Sequence, residues 1–125
     1  MVFLDTNIIL EITLKNRAKF QQVKDFLEKL DDATAISMLS VHLIMHFGRK
    51  EKEEDAYLNG IIDQNVLLAL TAEDYQWAKF NEHGKDFEDA LQLAVATRTG
   101  CDSFVTLDQN LAKAYADLDI NIKTI

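Results

Sequence analysis

Short apolar runs alternate with longer stretches of helical periodicity along this 125-residue chain. The apolar runs lie at residues 2–4, 34–38, 65–70, 103–106 and 120–125. Helical patterns lie at residues 6–14, 19–30, 40–47, 71–80, 86–99 and 111–118. Strands that alternate with helices usually pair in parallel and are covered on both faces. The sequence therefore predicts an α/β domain of three layers, α/β/α, with a mostly parallel central sheet.

Size and composition favour one globular domain over residues 1–125, without a membrane span. The chain is 48% hydrophobic, and no segment approaches the roughly 18 uninterrupted apolar residues of a spanning helix. The N-terminal residues lack the pattern of a secretory signal, and the single cysteine, Cys101, is predicted to be a core residue. We expect a cytoplasmic protein. Its net charge of −8 disfavours a broad phosphate-binding surface, so any contact with nucleic acid must be local.

Three local signals set helix boundaries. Ser40 is a candidate N-cap for the helical pattern that runs to Phe47. The segment from Thr71 to Asp74 resembles a capping box, which predicts a helix start. Gly84 is expected to interrupt one helical stretch and Gly100 to close the next.

Acidic residues stand where the predicted strands end. Asp5 directly follows the first strand, and Asp108 follows the fourth. Asp86, Glu88 and Asp89 lie in the first turn of the helix that leads into that fourth strand. Because ligands of open parallel sheets collect at the carboxyl ends of the strands, we expect these acids to meet at one edge.

Within the first helical turn, the spacing selects two of the three acids. Asp86 and Asp89 are three residues apart and share a helix face, whereas Glu88 is expected to point away. Clustered carboxylates repel one another unless protons or cations compensate, and their hard oxygens favour Mg²⁺ or Mn²⁺. Each acid alone also fits a structural role, as a helix cap or opposite a helix dipole. The joint placement of the acids favours a metal site.

Three segments carry a resemblance to a known family. They are Phe3-Leu4-Asp5-Thr6-Asn7-Ile8-Ile9-Leu10, Asp86-Phe87-Glu88-Asp89-Ala90-Leu91-Gln92 and Gly100-Cys101-Asp102-Ser103-Phe104-Val105-Thr106-Leu107-Asp108. In this order they resemble the PIN-domain family, which includes VapC-type toxins and other metal-dependent ribonucleases.

The resemblance implies catalytic and metal-binding roles for Asp5, Asp89 and Asp108, with Mg²⁺ or Mn²⁺ as the cofactor. Asp86 is either a further ligand or a helix cap. Thr6, Asn7 and Thr106 match the supporting polar positions.

One position departs from the family pattern. The usual glutamate would fall at Leu43, which cannot bind a cation. His42 and His46 flank it at helical spacing, but two histidines form only half of a metal site. We expect core or surface roles for both.

The resemblance implies an RNA-hydrolysing enzyme, with RNA as substrate, an antitoxin protein as a partner and a homodimer as the assembly. Arg17 and Lys85 are candidates for phosphate contact. The alternative is a degenerate PIN module that binds protein or RNA without cutting. The absence of an acid at position 43 favours this alternative. A phosphatase with Asp5 as nucleophile is a weaker alternative, because no second aspartate stands two residues on.

Overall fold

The computed structural model describes residues 1–83 and 86–125 of the chain. The strands are β1 (Val2–Leu4), β2 (Thr34–Ser37), β3 (Val66–Leu68), β4 (Ser103–Thr106) and β5 (Asn121–Thr124). The helices are α1 (Thr6–Thr13), α2 (Phe20–Lys29), α3 (Met38–Lys50), α4 (Asp55–Asp63), α5 (Ala72–Asn81), α6 (Phe87–Arg98) and α7 (Gln109–Ala114). The predicted alternation of strands and helices is confirmed.

The strands form one sheet in the order β3-β2-β1-β4-β5, and all four pairings are parallel. The chain winds from β1 to one edge through β2 and β3, and then returns to the other side of β1 to add β4 and β5. The winding direction therefore reverses between β1 and β4, which is where sheets of this kind bind ligands, at the carboxyl ends of the strands. Leu4 pairs with Val105, so these two strand ends lie side by side.

Helices cover both faces of the sheet, as the sequence predicted. Successive side chains of a strand point to opposite faces, so Phe3 and Leu4 enter different cores. Leu4 packs in the core that includes residues of α1, α2, α3 and α4. Phe3 packs in the core that includes residues of α5, α6 and α7, and its ring stacks on Phe104 with the centroids 5.3 Å apart.

The prediction that Ser40 caps α3 is wrong. The cap is Ser37, whose Oγ accepts a hydrogen bond from the backbone N–H of Ser40 at 3.2 Å. The helix therefore begins at Met38, at the end of the predicted strand, and the Ser40 side chain is fully buried. Both serines have the hydroxyl that capping needs, and the early end of β2 selects the first of them.

Other boundaries agree with the sequence more closely. Asp74 accepts a hydrogen bond from the Thr71 backbone N–H at 2.8 Å, within the capping box that opens α5. Gly100, with φ of +72°, follows α6, as predicted, and Cys101 is buried. The last predicted helix is displaced, because α7 begins after its cap Asp108 and ends at Ala114. The predicted break at Gly84 lies outside the described residues.

The described residues contain no helix that is both long and apolar enough to cross a membrane.

Candidate active site

Asp5 lies at the junction between β1 and α1, with an extended backbone (φ −63°, ψ 153°). Its Oδ1 accepts a hydrogen bond from the Thr6 backbone N–H at 2.8 Å, so the side chain caps α1. Only 3% of the residue is exposed. Asp5 is thus a helix cap whose carboxylate is held, almost without water, at the point where the sheet reverses.

One hydroxyl group connects the ends of β1 and β4. The Thr106 Oγ1 donates to Asp5 Oδ2 at 2.7 Å and accepts from the Asp108 backbone N–H at 3.0 Å. It also accepts from Asn7 Nδ2 at 3.1 Å. Thr106 is fully buried, so these contacts have little competition from water. The hydroxyl fixes the orientation of Asp5 relative to the turn that carries Asp108.

Asn7 secures the same turn from the α1 side. Its Oδ1 accepts a hydrogen bond from the Leu107 backbone N–H at 3.1 Å, while its Nδ2 donates to Thr106. The first turn of α1 is thereby joined to the segment that follows β4.

Asp108 is the N-cap of α7. Its Oδ1 accepts hydrogen bonds from the backbone N–H groups of Asn110 at 2.9 Å and Leu111 at 3.2 Å. The side chain also lines a cleft of about 400 Å³ together with Asp86 and Asp89. Asp108 therefore has a structural contact through one oxygen and faces a cleft that could admit a ligand.

Asp86 and Asp89 reach the same cleft from the start of α6. Asp86 is exposed and is the N-cap, with its Oδ1 accepting from the Glu88 backbone N–H at 2.9 Å. Asp89 lies inside the helix and is partly buried. The cap role considered for Asp86 from the sequence is confirmed.

Burial, with negative charges nearby, raises the pKa of the carboxyl groups at this edge of the sheet. Burial raises the pKa of Asp5 from its ordinary 3.8 to about 6. Hydrogen bonds from Thr106 and Thr6 lower this pKa but do not cancel the effect of burial. Burial, followed by the charge of Asp5, is the main cause that raises the pKa of Asp89 from 3.8 to about 7. No positive charge of the described residues is among the main influences on either carboxyl pKa.

Asp86 and Asp89 line the cleft without Glu88, as their spacing predicted, but Glu88 lies close to Asp5. Its carboxylate is the charge that most raises the pKa of Asp5, ahead of Asp108. Burial raises the pKa of Glu88 itself, while the side chains of Thr6 and Gln92 lower it. Glu88 is therefore a neighbour of Asp5. We call the region around Asp5, Asp89 and Asp108 the crevice, and Glu88 lies on its α1 side.

A buried polar cluster lies beneath Glu88, and the sequence interpretation did not identify it. Gln92 Nε2 donates to Thr6 Oγ1 at 2.7 Å and to Ser40 Oγ at 2.9 Å. Gln92 Oε1 accepts from Ser37 Oγ at 2.6 Å, and the hydroxyls of Thr6 and Ser40 are 2.8 Å apart. The available signal was a single amide, Gln92, within the otherwise apolar run from Ala90 to Ala96.

The position expected to carry an acid lies on the same helix as Ser40 of this cluster. Leu43 is partly buried and lies three residues after Ser40 on α3, so the two share a helix face. His42 and His46 are exposed instead, and their rings stack with the centroids 6.1 Å apart. The two histidines are surface residues, as the sequence allowed.

The donor chemistry of the crevice fits a hard divalent cation, since its carboxylates are close enough to raise one another's pKa, and no cation of the described residues offsets this effect. The ligand set is not preassembled. Within residues 1–83 and 86–125, no three His, Cys, Asp or Glu side chains have the geometry to hold one ion together.

Of the two candidate phosphate contacts, Arg17 is exposed and Lys85 lies outside the described residues.

Comparison with solved structures finds the same fold in three proteins of low sequence identity. A toxin–antitoxin complex from Klebsiella pneumoniae has a TM-score of 0.78 at 18% identity, over 98% of this chain and 97% of that one. The VapC20 toxin of Mycobacterium tuberculosis, described as a Sarcin-Ricin loop cleaving toxin, has a TM-score of 0.73 at 15% identity, over 92% and 95%. VapBC2 from Rickettsia felis, bound to a DNA fragment from its promoter, has a TM-score of 0.69 at 14% identity, over 100% and 99%.

No curated protein matches the sequence. The family model of the PIN domain matches residues 2–117, nearly the whole chain. This match covers all three motifs that carry the crevice acids. The chain belongs to the PIN domain family.

Proposed function

We propose that this chain is a Mg²⁺- or Mn²⁺-dependent endoribonuclease and the toxin of a toxin–antitoxin pair. The observation that carries the proposal is the set of acids where the sheet reverses between β1 and β4. Asp5 is 3% exposed there, and no cation of residues 1–83 and 86–125 is among the main influences on its pKa. A protein that needed Asp5 only as a helix cap would gain nothing from the neighbouring carboxylates of Asp89 and Asp108, which destabilise its charged form.

Asp5, Asp89 and Asp108 are the proposed catalytic and metal-binding residues, with Asp86 as a candidate outer ligand. The metal would supply a Lewis acid that orients the RNA phosphate and lowers the pKa of an attacking water. Thr106 fixes the Asp5 carboxylate through its 2.7 Å hydrogen bond, and Asn7 fixes Thr106. These supporting contacts reduce the freedom that the carboxylates would lose on binding.

Asp89 is the side chain best suited to accept a proton from water. It lines the cleft, and its pKa of about 7 is close to neutral pH, where a general base is most effective. Asp5 is hydrogen-bonded through both oxygens and almost fully buried, which suits a fixed ligand instead.

The solved relatives support the biological setting of this proposal. One of them is a toxin–antitoxin complex from Klebsiella pneumoniae, and another is the VapC20 toxin. By this similarity we propose a protein antitoxin as a partner of the chain and the cytoplasm as its location. A homodimer stays a prediction from the family resemblance.

A binding module without nuclease activity is the second candidate. The specific observation in its favour is Leu43, an apolar residue of α3 at the position where the resemblance expects a glutamate. Weak or absent metal binding would follow if no other acid supplied the missing charge.

Labelled single-stranded RNA, incubated with purified protein and millimolar Mn²⁺, distinguishes the two. We expect slow cleavage that stops on chelation and is lost in Asp5→Asn and Asp108→Asn. Asp63→Asn is the matched control, because Asp63 is exposed at the end of α4. Cleavage that persists in both site variants would exclude this site, and RNA binding without cleavage by the metal-loaded protein would favour the binding module.

A further inference from the structure

Glu88 and the buried cluster beneath it lie on one face of α6. Glu88 precedes Gln92 by four residues, so their side chains are neighbours on the helix surface. Gln92 is fully buried and donates to both Thr6 and Ser40, which fixes the direction of this face toward the first turns of α1 and α3. The Glu88 carboxylate accordingly faces Thr6, the residue that follows Asp5.

Counting protons in the cluster leaves one without an acceptor. Its donors are the two Nε2 protons of Gln92, the hydroxyls of Thr6, Ser37 and Ser40, and the Ser40 backbone N–H, six protons in all. Five hydrogen bonds join these groups to one another. The remaining proton belongs to Thr6 or Ser40, because only one of these hydroxyls can donate to the other.

Thr6 is the hydroxyl with an acceptor in reach. Ser40 is completely enclosed, whereas Thr6 is 5% exposed and faces the Glu88 carboxylate. If Ser40 donates to Thr6, then Thr6 donates to Glu88, and every proton of the cluster has a partner. A buried donor without an acceptor costs about 1–3 kcal/mol, so this direction of donation is favoured. The cluster thus ends in a donor that holds a carboxylate at the mouth of the crevice.

The same crevice lacks an acid on its α3 side. Leu43 shares a face of α3 with Ser40, and Ser40 contacts Gln92 of α6. The hydroxyls of Ser40 and Thr6 are 2.8 Å apart, so the helix face that carries Leu43 and the helix face that carries Glu88 converge on one cluster. From this we infer that an acid on α6 can reach the region that an acid on α3 would occupy.

We propose that Glu88 is the fourth carboxylate of the metal site, held by the Thr6–Ser40–Gln92 cluster, and that it compensates for the apolar residue at position 43. This inference depends on the metal-dependent activity proposed above, and it assigns to Glu88 the role of a ligand or of an anchor for a metal-bound water.

Calorimetric titration of Mn²⁺ into wild type and Glu88→Gln tests the assignment directly. We expect the variant to bind Mn²⁺ at least about tenfold more weakly, on the scale found when groups around a metal are removed. Glutamine keeps the size and the acceptor for Thr6, so the metal-free melting temperature should be unchanged or higher. Glu73→Gln, an exposed glutamate of α5, is the control and should bind as wild type does.

Moving the acid back to α3 gives the second test. Adding Leu43→Glu to the Glu88→Gln variant should restore most of the lost Mn²⁺ affinity, because the carboxylate returns to the same crevice from the other helix. A weaker affinity that comes with a lower metal-free melting temperature, and that Leu43→Glu does not restore, would show a structural role and overturn the inference.

The outcomes separate this inference from the proposed function. If Asp5→Asn abolishes Mn²⁺ binding while Glu88→Gln binds as wild type does, the inference fails and the proposed function stands. If wild type binds no Mn²⁺ and cleaves no RNA, both fail.

Discussion

Two buried aspartates of this protein have opposite electrostatic surroundings. Asp74 is 1% exposed and Asp5 is 3% exposed. Arg98 donates to both oxygens of Asp74, from Nε at 2.8 Å and Nη2 at 3.0 Å. Asp5 receives two hydrogen bonds from uncharged donors, and the charges that most affect its pKa, Glu88 and Asp108, are negative.

The two carboxyl groups respond in opposite directions. Burial raises the pKa of Asp74, but hydrogen bonds from Arg98 and Thr71 outweigh it, so the net pKa is lowered. Burial raises the pKa of Asp5 to about 6, and its hydrogen bonds do not compensate. Within the described part of the chain, the acid with a structural role is thus paired with an arginine, whereas Asp5 has no cation among the main influences on its pKa. Perturbed carboxyls of the second kind are typical of functional sites.

Removing the counter-charge of Asp74 should have the largest effect on stability. Arg98→Met leaves Asp74 buried and unpaired and also removes the 2.7 Å contact of Arg98 with the Ala69 carbonyl. We expect a loss of about 3 kcal/mol in unfolding free energy, measured by urea denaturation at pH 7.

Arg49→Met is the matched control, because Arg49 makes the same two-pronged contact with Asp55 at an exposed site. It should cost less than about 1 kcal/mol. Equal losses in the two variants would show that burial does not distinguish these ion pairs.

Asp5→Asn should act in the opposite direction in metal-free protein. Between about pH 4 and pH 7 the folded state holds more protons than the unfolded state at Asp5 and Asp89, so the unfolding free energy falls as pH rises. A rise in the Asp5 pKa from 3.8 to about 6 corresponds to roughly 3 kcal/mol at pH 8. Asparagine avoids this cost and loses about 1 kcal/mol of hydrogen bonding, which leaves a gain of about 2 kcal/mol.

The sign of this effect should change with pH. At pH 4 the wild-type carboxyl is already protonated in the folded state, so Asp5→Asn should then be no more stable than wild type. Urea denaturation in the presence of a chelator, at pH 4 and pH 8, measures the difference in unfolding free energy between Asp5→Asn and wild type at each pH. If Asp5→Asn were less stable than wild type at both pH values, the raised pKa of Asp5 would be contradicted.

The Thr106 hydroxyl should have the smallest of these effects. Thr106→Val removes a donor that lowers the Asp5 pKa and an acceptor for Asn7 and the Asp108 backbone. We expect a loss of about 1 kcal/mol at pH 8 and an upward shift of the pH range in which stability falls.

Thr34→Val serves as its control. Thr34 donates to Asn65 at 2.6 Å in a partly buried contact. We expect a comparable loss of unfolding free energy in Thr34→Val, without a shift of the pH range in which stability falls. A shift in both variants would show that the effect does not depend on Asp5.

The sequence predicted the strand-end acids because the rule for parallel sheets depends only on element order. Asp5 and Asp108 could therefore be assigned to one edge without coordinates. Glu88 could not, because its direction depends on where α6 begins. Asp86 was treated as part of the helix together with Asp89, but its backbone is extended (φ −115°, ψ 108°) and lies outside the helical repeat.

The sequence also did not reveal which elements pack against one another. The run at residues 65–70 indicated a strand, yet β3 is a sheet edge where Val66 and Leu67 are each 43% exposed. Apolar residues predict a strand but do not reveal whether another element covers it. The contacts of Gln92 likewise depend on two other helices, α1 and α3, that no local pattern links to it.

The central claim is that a divalent cation binds at the crevice acids. Calorimetric titration of Mn²⁺ at pH 7.5 into wild type, Asp5→Asn and Asp74→Asn tests it most directly. We predict one ion per chain for wild type and for Asp74→Asn, and no measurable binding for Asp5→Asn. Binding by wild type should weaken below about pH 6, where protons compete for Asp5 and Asp89. No binding by wild type, or equal binding by Asp5→Asn, would contradict the account.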